Sequence, residues 1–136
     1  MKVFLDANIL FSAADATSAT RRLLDILAAS GQAATSPHAW EEARRNLERK
    51  RPGHLPGLEE LRALVSLGRE FTPPPKTDLP ECDLPILAGA IGARCAYLWT
   101  SDRKHFGRYY GERIGGVAIV SSLQLAEMLI PRGRGK

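Results

Sequence analysis

Cysteine is scarce in this chain of 136 residues, and long apolar runs are missing. Cys82 and Cys95 are its only cysteines, and neither a C-x-x-C pair nor a histidine cluster accompanies them, so a zinc site is not expected. No apolar stretch approaches the roughly 20 residues of a membrane helix. The run after Lys2 is also too short for the apolar part of a signal peptide. We therefore expect two ordinary thiols in a cytoplasmic protein that does not enter a membrane.

The composition is that of a single globular domain. Hydrophobic residues make up 44% and charged residues 25% of the chain, and the formal net charge is +4. A modest positive charge gives weak support for a polyanionic partner such as nucleic acid. Part of that charge lies in the basic tail 131–136, for which we predict disorder. The folded domain is accordingly predicted to span residues 1–130.

Strand-like and helix-like segments alternate along the chain. The predicted strands are residues 2–5, 33–35, 70–72, 97–100 and 117–120. The predicted helices are residues 19–29, a segment from 36 to just before Pro52, and residues 58–65, 83–93 and 121–129. This alternation predicts an α/β fold in which a central parallel sheet is covered by helices.

Two of these strands end in an aspartate. Asp6 ends the apolar run of residues 3–5, and Asp102 follows the run of residues 97–100. The carboxyl ends of parallel strands border the crevice in which open α/β sheets bind ligands. Hard divalent cations prefer oxygen ligands, so two such carboxylates at one sheet edge suggest a shared metal site.

Two further carboxylates are placed to face that crevice. Asp83 stands at a predicted helix start, and Glu42 shares a helix side with Ala39 and Asn46, whereas Glu41 points further from the apolar stripe. Each acid also has a plainer interpretation. The aspartates can be helix caps or turn residues, and Glu42 can belong to a solvated helix face.

Four motifs in order along the chain resemble those of PIN-domain nucleases. They are FLDANILFS at residues 4–12, EARRNL at 42–47, DLPILAGA at 83–90 and TSDRKHF at 100–106. The fourth motif departs from the family, which usually has glycine where this chain has Ser101. Residues 51–76 match nothing in the family pattern.

The resemblance implies a three-layer α/β/α fold with helices on both faces of the sheet. It implies a metal-dependent endoribonuclease that holds one or two Mg²⁺ or Mn²⁺ ions through Asp6, Glu42, Asp83 and Asp102. Compact members of this kind are often VapC-type toxins of bacterial toxin–antitoxin pairs. An RNA substrate, a cognate antitoxin and a homodimer are therefore expected.

Several neighbours of the acids are candidates for supporting roles. We expect Asn8 to fix the first turn or bond to Asp6, and Thr100 and Ser101 to orient a metal-bound water or to satisfy local backbone groups. The basic side chains after the last acid, among them Arg103, can contact phosphate or be ordinary exposed charge. Apolar residues near the middle of the chain suggest an exposed patch for a homodimer: Trp40, Leu55, Leu58 and Leu61.

Three other functions stay open at this stage. The chain can be a nuclease for RNA processing or for structured DNA, outside a toxin system. It can be a phosphoryl-transfer domain with Asp6 as nucleophile, although such enzymes usually have a second aspartate where this chain has Asn8. It can also be a non-catalytic RNA-binding module, which would be expected to have lost at least one of the four acids.

Overall fold

The computed structural model describes residues 2–68 and 84–130. Its strands are β1 (Val3–Leu5), β2 (Ala33–Thr35), β3 (Ser66–Leu67), β4 (Tyr97–Trp99), β5 (Arg113–Ile114) and β6 (Val117–Val120). Its α-helices are α1 (Ala7–Ala13), α2 (Ala19–Ala28), α3 (Pro37–Lys50), α4 (Leu55–Glu60), α5 (Leu84–Gly92), α6 (Arg103–Phe106) and α7 (Ser122–Leu129). Short 3-10 turns follow α3, α4 and α6.

The six strands form one sheet in the order β3-β2-β1-β4-β6-β5. All neighbouring pairs are parallel except β5 with β6, so the predicted parallel sheet has one antiparallel edge. The chain leaves β1 toward β2 and β3 on one side and later fills the other side with β4, β6 and β5. The strand order therefore reverses between β1 and β4, which is where sheets of this kind open their binding crevice.

The helices pack on this sheet in a three-layer α/β/α arrangement, as the family resemblance implied. Every residue of β1 and β6 is buried, as expected for strands covered on both faces. Helix α5 approaches β1 closely because Gly89 has no side chain. A Cβ atom there would lie 2.9 Å from the ring of Phe4. The close contact with α5 thereby helps to fix β1, the strand that precedes Asp6.

Several element boundaries differ from the predictions. Helix α1 was not predicted as an element, and α4 begins at Leu55 instead of Leu58. Proline is tolerated in a first helical turn, where its missing N–H has no intrahelical partner, so Pro56 does not delay the start of α4. The predicted strand at residues 70–72 lies outside the described residues, and β3 pairs with β2 just before it.

The predicted homodimer patch is wrong. Trp40, Leu58 and Leu61 are 5%, 1% and 0% exposed, and Leu55 packs against the same core. They cover the inside of the domain because α4 folds back onto α1 and α3. Large exposed apolar side chains lie elsewhere, and three of them line an apolar groove of about 450 Å³ between α2 and α7: Ile26, Leu123 and Ile130.

Other sequence predictions meet the structure only in part. Cys95 is buried and unpaired, whereas Cys82 and the tail 131–136 lie outside the described residues. None of the described helices has the length and apolar character that crossing a membrane requires.

Candidate active site at the ends of β1 and β4

Asp6 stands directly after β1 and is the N-cap of α1. Its Oδ1 accepts a hydrogen bond from the backbone N–H of Ala7 at 2.6 Å. Its Oδ2 accepts from the hydroxyl of Thr100 at 2.7 Å and from the side-chain amide of Asn8 at 3.3 Å. Asp6 is only 5% exposed, so its carboxylate depends on these donors for its solvation. The cap interpretation is therefore confirmed, and it does not conflict with a role as ligand.

Thr100 is the centre of the hydrogen-bond network that joins the two strand ends. Its buried hydroxyl donates to Asp6 and accepts from the backbone N–H of Asp102 at 3.1 Å and from Asn8 Nδ2 at 3.4 Å. Asn8 Oδ1 in turn accepts from the backbone N–H of Ser101 at 3.1 Å. The loop after β4 is thereby held against the first turn of α1.

Asp102 lies at the end of this loop, immediately before α6, and is half-buried. The structure thus places it at the same sheet edge as Asp6, because β1 and β4 are adjacent and in register from Val3 with Tyr97 to Leu5 with Trp99. This pairing confirms the prediction that the two strand-end aspartates lie at one edge of the sheet.

Tyr110 was missed by the sequence analysis. Its hydroxyl donates to the carbonyl oxygen of Thr100 at 3.0 Å. Burial raises the pKa of this hydroxyl above its ordinary value; the charge of Arg103 opposes the rise, and the charges of Asp102 and Asp6 add to it. Both carboxylates and one guanidinium are therefore close enough to act on the same phenol. Its partner is a backbone carbonyl, which leaves no signal in the sequence.

Glu42 and Glu41 have different surroundings on α3. Glu42 Oε1 lies 3.7 Å from His38 Nε2, one helical turn earlier. Glu41 instead accepts hydrogen bonds from the guanidinium of Arg44, which lower the pKa of its carboxyl group. Asn46, the predicted companion of Glu42, accepts a hydrogen bond from Arg49 at 2.9 Å.

The structure describes three of the four acids predicted to hold a metal ion, namely Asp6, Glu42 and Asp102. Among the side chains that the structure describes, no three acidic, histidine or cysteine groups come together closely enough to hold a metal ion. Asp6, Asp102 and Glu42 therefore do not form such a group by themselves, and Asp83 lies outside the described residues. The oxygen donors of Asp6 and Asp102 nevertheless fit Mg²⁺, which proteins commonly bind through one or two carboxylates together with water and substrate phosphate.

Known proteins resemble this chain in fold and not in sequence. No protein-family model and no curated protein matches it. Among solved structures it resembles a chain of VapBC2 from Rickettsia felis, whose crystal structure contains a DNA fragment from the VapBC2 promoter. The TM-score is 0.64 at 18% identity, over 89% of this chain and 98% of that one. It also resembles VapC20 of Mycobacterium tuberculosis, described as a sarcin-ricin loop cleaving toxin. Here the TM-score is 0.53 at 16% identity, over 75% of this chain and 91% of that one. The chain has the fold of these proteins, as the four motifs predicted.

Proposed function

We propose that this protein is a metal-dependent endoribonuclease. The observation that carries the proposal is the network at the ends of β1 and β4, where Thr100 and Asn8 hold the Asp6 carboxylate beside the loop that bears Asp102. This network lies at the point where the strand order reverses, in a fold shared with VapC structures. The net charge of +4 is compatible with an RNA substrate.

The residues have distinct parts in this proposal. Asp6 and Asp102 would hold Mg²⁺ or Mn²⁺ together with Asp83, and Glu42 would hold a second ion or orient the attacking water. The bound cation would supply charge neutralisation on the phosphate and an activated water. Thr100 fixes the Oδ2 atom of Asp6 by donating to it. Asn8 holds the N–H of Ser101 and so the loop that carries Asp102.

We further infer that the protein acts as a toxin in the cytoplasm and is inhibited by an antitoxin. The support is the fold shared with VapBC2, which was crystallised with a DNA fragment from its promoter, and with VapC20, a sarcin-ricin loop cleaving toxin. An inhibitor that places a guanidinium among the carboxylates would replace the charge of the cation there. The homodimer stays a prediction, and sedimentation of the purified protein tests it.

Cleavage of RNA by the purified protein tests the enzymatic proposal. We expect cleavage in Mg²⁺ or Mn²⁺ that stops when a chelator is added. Asp102→Asn should lose activity, whereas Asp25→Asn serves as a matched control because Asp25 is exposed on α2 and pairs with Arg21. Thr100→Val should lower metal affinity or activity by roughly 10–100-fold, the usual effect of removing a group that orients a ligand. Cleavage that a chelator leaves unchanged would contradict the metal dependence.

Expression in bacteria tests the toxin assignment separately. The active protein should arrest growth, and co-expression of a cognate antitoxin should restore growth. Tolerance of high levels of active enzyme without any partner would favour the alternative of an RNA-processing nuclease.

A further inference from the structure

A cavity of about 480 Å³ opens beside the two acids, at the carboxyl ends of β4 and β6. The residues that line it include Ser101, Arg103, Gly107, Tyr110, Ser122 and Leu123. Its volume is in the range of sites that hold a small organic ligand. It is open to solvent, and a volume of about 480 Å³ has room for one nucleotide.

The cavity begins where the acid network ends. Ser101 belongs to the loop between Thr100 and Asp102, and Tyr110 contacts that loop through its bond to the Thr100 carbonyl. A group bound in the cavity would therefore adjoin any phosphate that is held at Asp6 and Asp102.

The charge of the cavity is opposite to that of the neighbouring acids. Arg103 is exposed. Its positive charge lowers the pKa of the Tyr110 hydroxyl, whereas the negative charges of Asp102 and Asp6 raise it. None of the described residues that line the cavity is acidic. An anionic chain could therefore present one phosphate to the acids through a cation and the next phosphate to Arg103 directly.

The remaining lining groups suit a nucleoside. Ser122 Oγ accepts a hydrogen bond from the indole N–H of the buried Trp99 at 2.9 Å, which fixes the oxygen and leaves the hydroxyl proton to be donated. Tyr110 and the 67% exposed Leu123 add an aromatic and an apolar surface. Unpaired bases commonly bind to such surfaces in single-strand-binding proteins.

We infer that this cavity binds the single-stranded nucleotide next to the scissile phosphate, with Arg103 on its phosphate and Tyr110 and Leu123 against its base. The inference rests on the proposed nuclease function for the identity of the ligand. It assigns to Arg103 a role in substrate binding that is separate from holding the cation.

The first arm of the test measures binding without cleavage. Anisotropy of a fluorescein-labelled single-stranded RNA is recorded with the full-length protein in a chelating buffer. Arg103→Ala should raise the Kd about tenfold or more. It should also reduce the slope of log Kd against log salt by about 0.7, the contribution of one phosphate contact on a single strand. A merely structural effect would not change that slope.

Two further variants make this arm specific. Arg94→Ala is the matched control, because Arg94 is exposed and precedes β4 at the opposite edge of the sheet. It removes the same charge and should change neither Kd nor slope. Gly107→Leu narrows the cavity without removing a described contact, since the Cβ of Arg103, at an ordinary 3.6 Å, is what a Cβ there meets among the described residues. It should weaken RNA binding as well.

The second arm measures cleavage in Mg²⁺ or Mn²⁺. Arg103→Ala should raise KM about tenfold while kcat stays within about threefold, as expected when binding shared by ground and transition states is lost. Wild-type binding by both Arg103→Ala and Gly107→Leu would overturn the inference. A protein that binds RNA through Arg103 but never cleaves it would support the cavity and refute the nuclease, and one that does neither would refute both.

Discussion

Replacing Asp6 by asparagine should destabilise the metal-free protein. Among the donors that the structure describes around this carboxylate are the N–H of Ala7, the hydroxyl of Thr100 and the amide of Asn8. Asparagine retains one acceptor oxygen, which can still cap α1 because asparagine and aspartate are equally good N-caps. Its amide nitrogen would then replace Oδ2 and face two groups that now donate to this position.

The magnitude follows from these contacts. The Thr100 hydroxyl already accepts from the N–H of Asp102 and from Asn8, so it can accept from the new amide only in exchange for one of these bonds. Asn8 is fixed by the bond between its oxygen and Ser101 and would present a donor to a donor. A hydrogen bond to a charged group contributes roughly 1.5–3 kcal/mol. Relief of repulsion from the half-exposed Asp102 opposes this by about 1 kcal/mol or less. The free energy of unfolding should therefore fall by roughly 0.5–3 kcal/mol.

This expectation differs from the one that a crowded acidic site suggests by itself. Four mutually repelling carboxylates would make the loss of one charge neutral or stabilising. The structure changes the sign because the donors around Asp6 are already arranged for a negative charge. Asp6→Ala should cost a further 0.5–2 kcal/mol, approximately, since it also removes the helix cap.

Urea unfolding in a chelating buffer, followed by circular dichroism, measures the effect. Asp25→Asn is the control, because its exposed ion pair with Arg21 contributes little. Addition of Mn²⁺ at 100 times its Kd should stabilise the wild type by about 2.7 kcal/mol and the Asp6 variants much less. An Asp6→Asn protein that is as stable as the wild type would refute the hydrogen-bond argument. A variant that does not fold would make Asp6 a structural residue.

Three further predictions concern other parts of the chain. Glu42→Gln should reduce RNA cleavage far more than Glu41→Gln, because Glu41 accepts hydrogen bonds from the Arg44 guanidinium whereas His38 approaches Glu42 only to 3.7 Å, and the reverse ranking would contradict the assignment. Burial raises the pKa of the Cys95 thiol to about 11, so the folded protein keeps the thiol proton at pH values at which the unfolded chain has lost it. Stability measured by urea unfolding should therefore fall by up to about 2–3 kcal/mol between pH 9 and 11, and a Cys95→Ala variant should lack this component. A Cβ at Gly57 would lie 1.9 Å from the carbonyl oxygen that follows α1, so Gly57→Ala should lower stability by at least about 2 kcal/mol in thermal unfolding, whereas Gly53→Ala, with open space around it, should not.

Local signals were sufficient for most of the fold. Ser36 followed by Pro37 predicts a helix start, and in the structure Ser36 accepts from the N–H of Ala39 while Pro37 occupies the first turn. The two apolar runs that end in Asp6 and Asp102 predict neighbouring strand ends, and β1 and β4 are adjacent. These features depend on residues close together in sequence, which is why a single chain reveals them.

Features that depend on distant partners were not predictable. The pattern of Trp40, Leu58 and Leu61 shows which helix sides are apolar. It does not show that α4 packs against α1 and α3 and so buries these side chains inside the domain. Tyr110 donates to the backbone carbonyl of Thr100, and any residue at position 100 would supply the same acceptor. The short helix α1 escaped notice because its apolar residues continue those of β1 with only Asp6 between them.

The same junction explains why the order aspartate, any residue, asparagine suits this site. Asp6 ends the strand and caps the helix, so Asn8 falls in the first helical turn. From there its amide reaches back to Asp6 and across to Thr100, and its carbonyl oxygen accepts from the N–H of Ser101. The carboxylate of Asp6 is therefore both the cap of α1 and the charge to which the network donates. The helix start aims Asn8 at the loop of β4, and that contact holds the Asp102 loop against the end of β1.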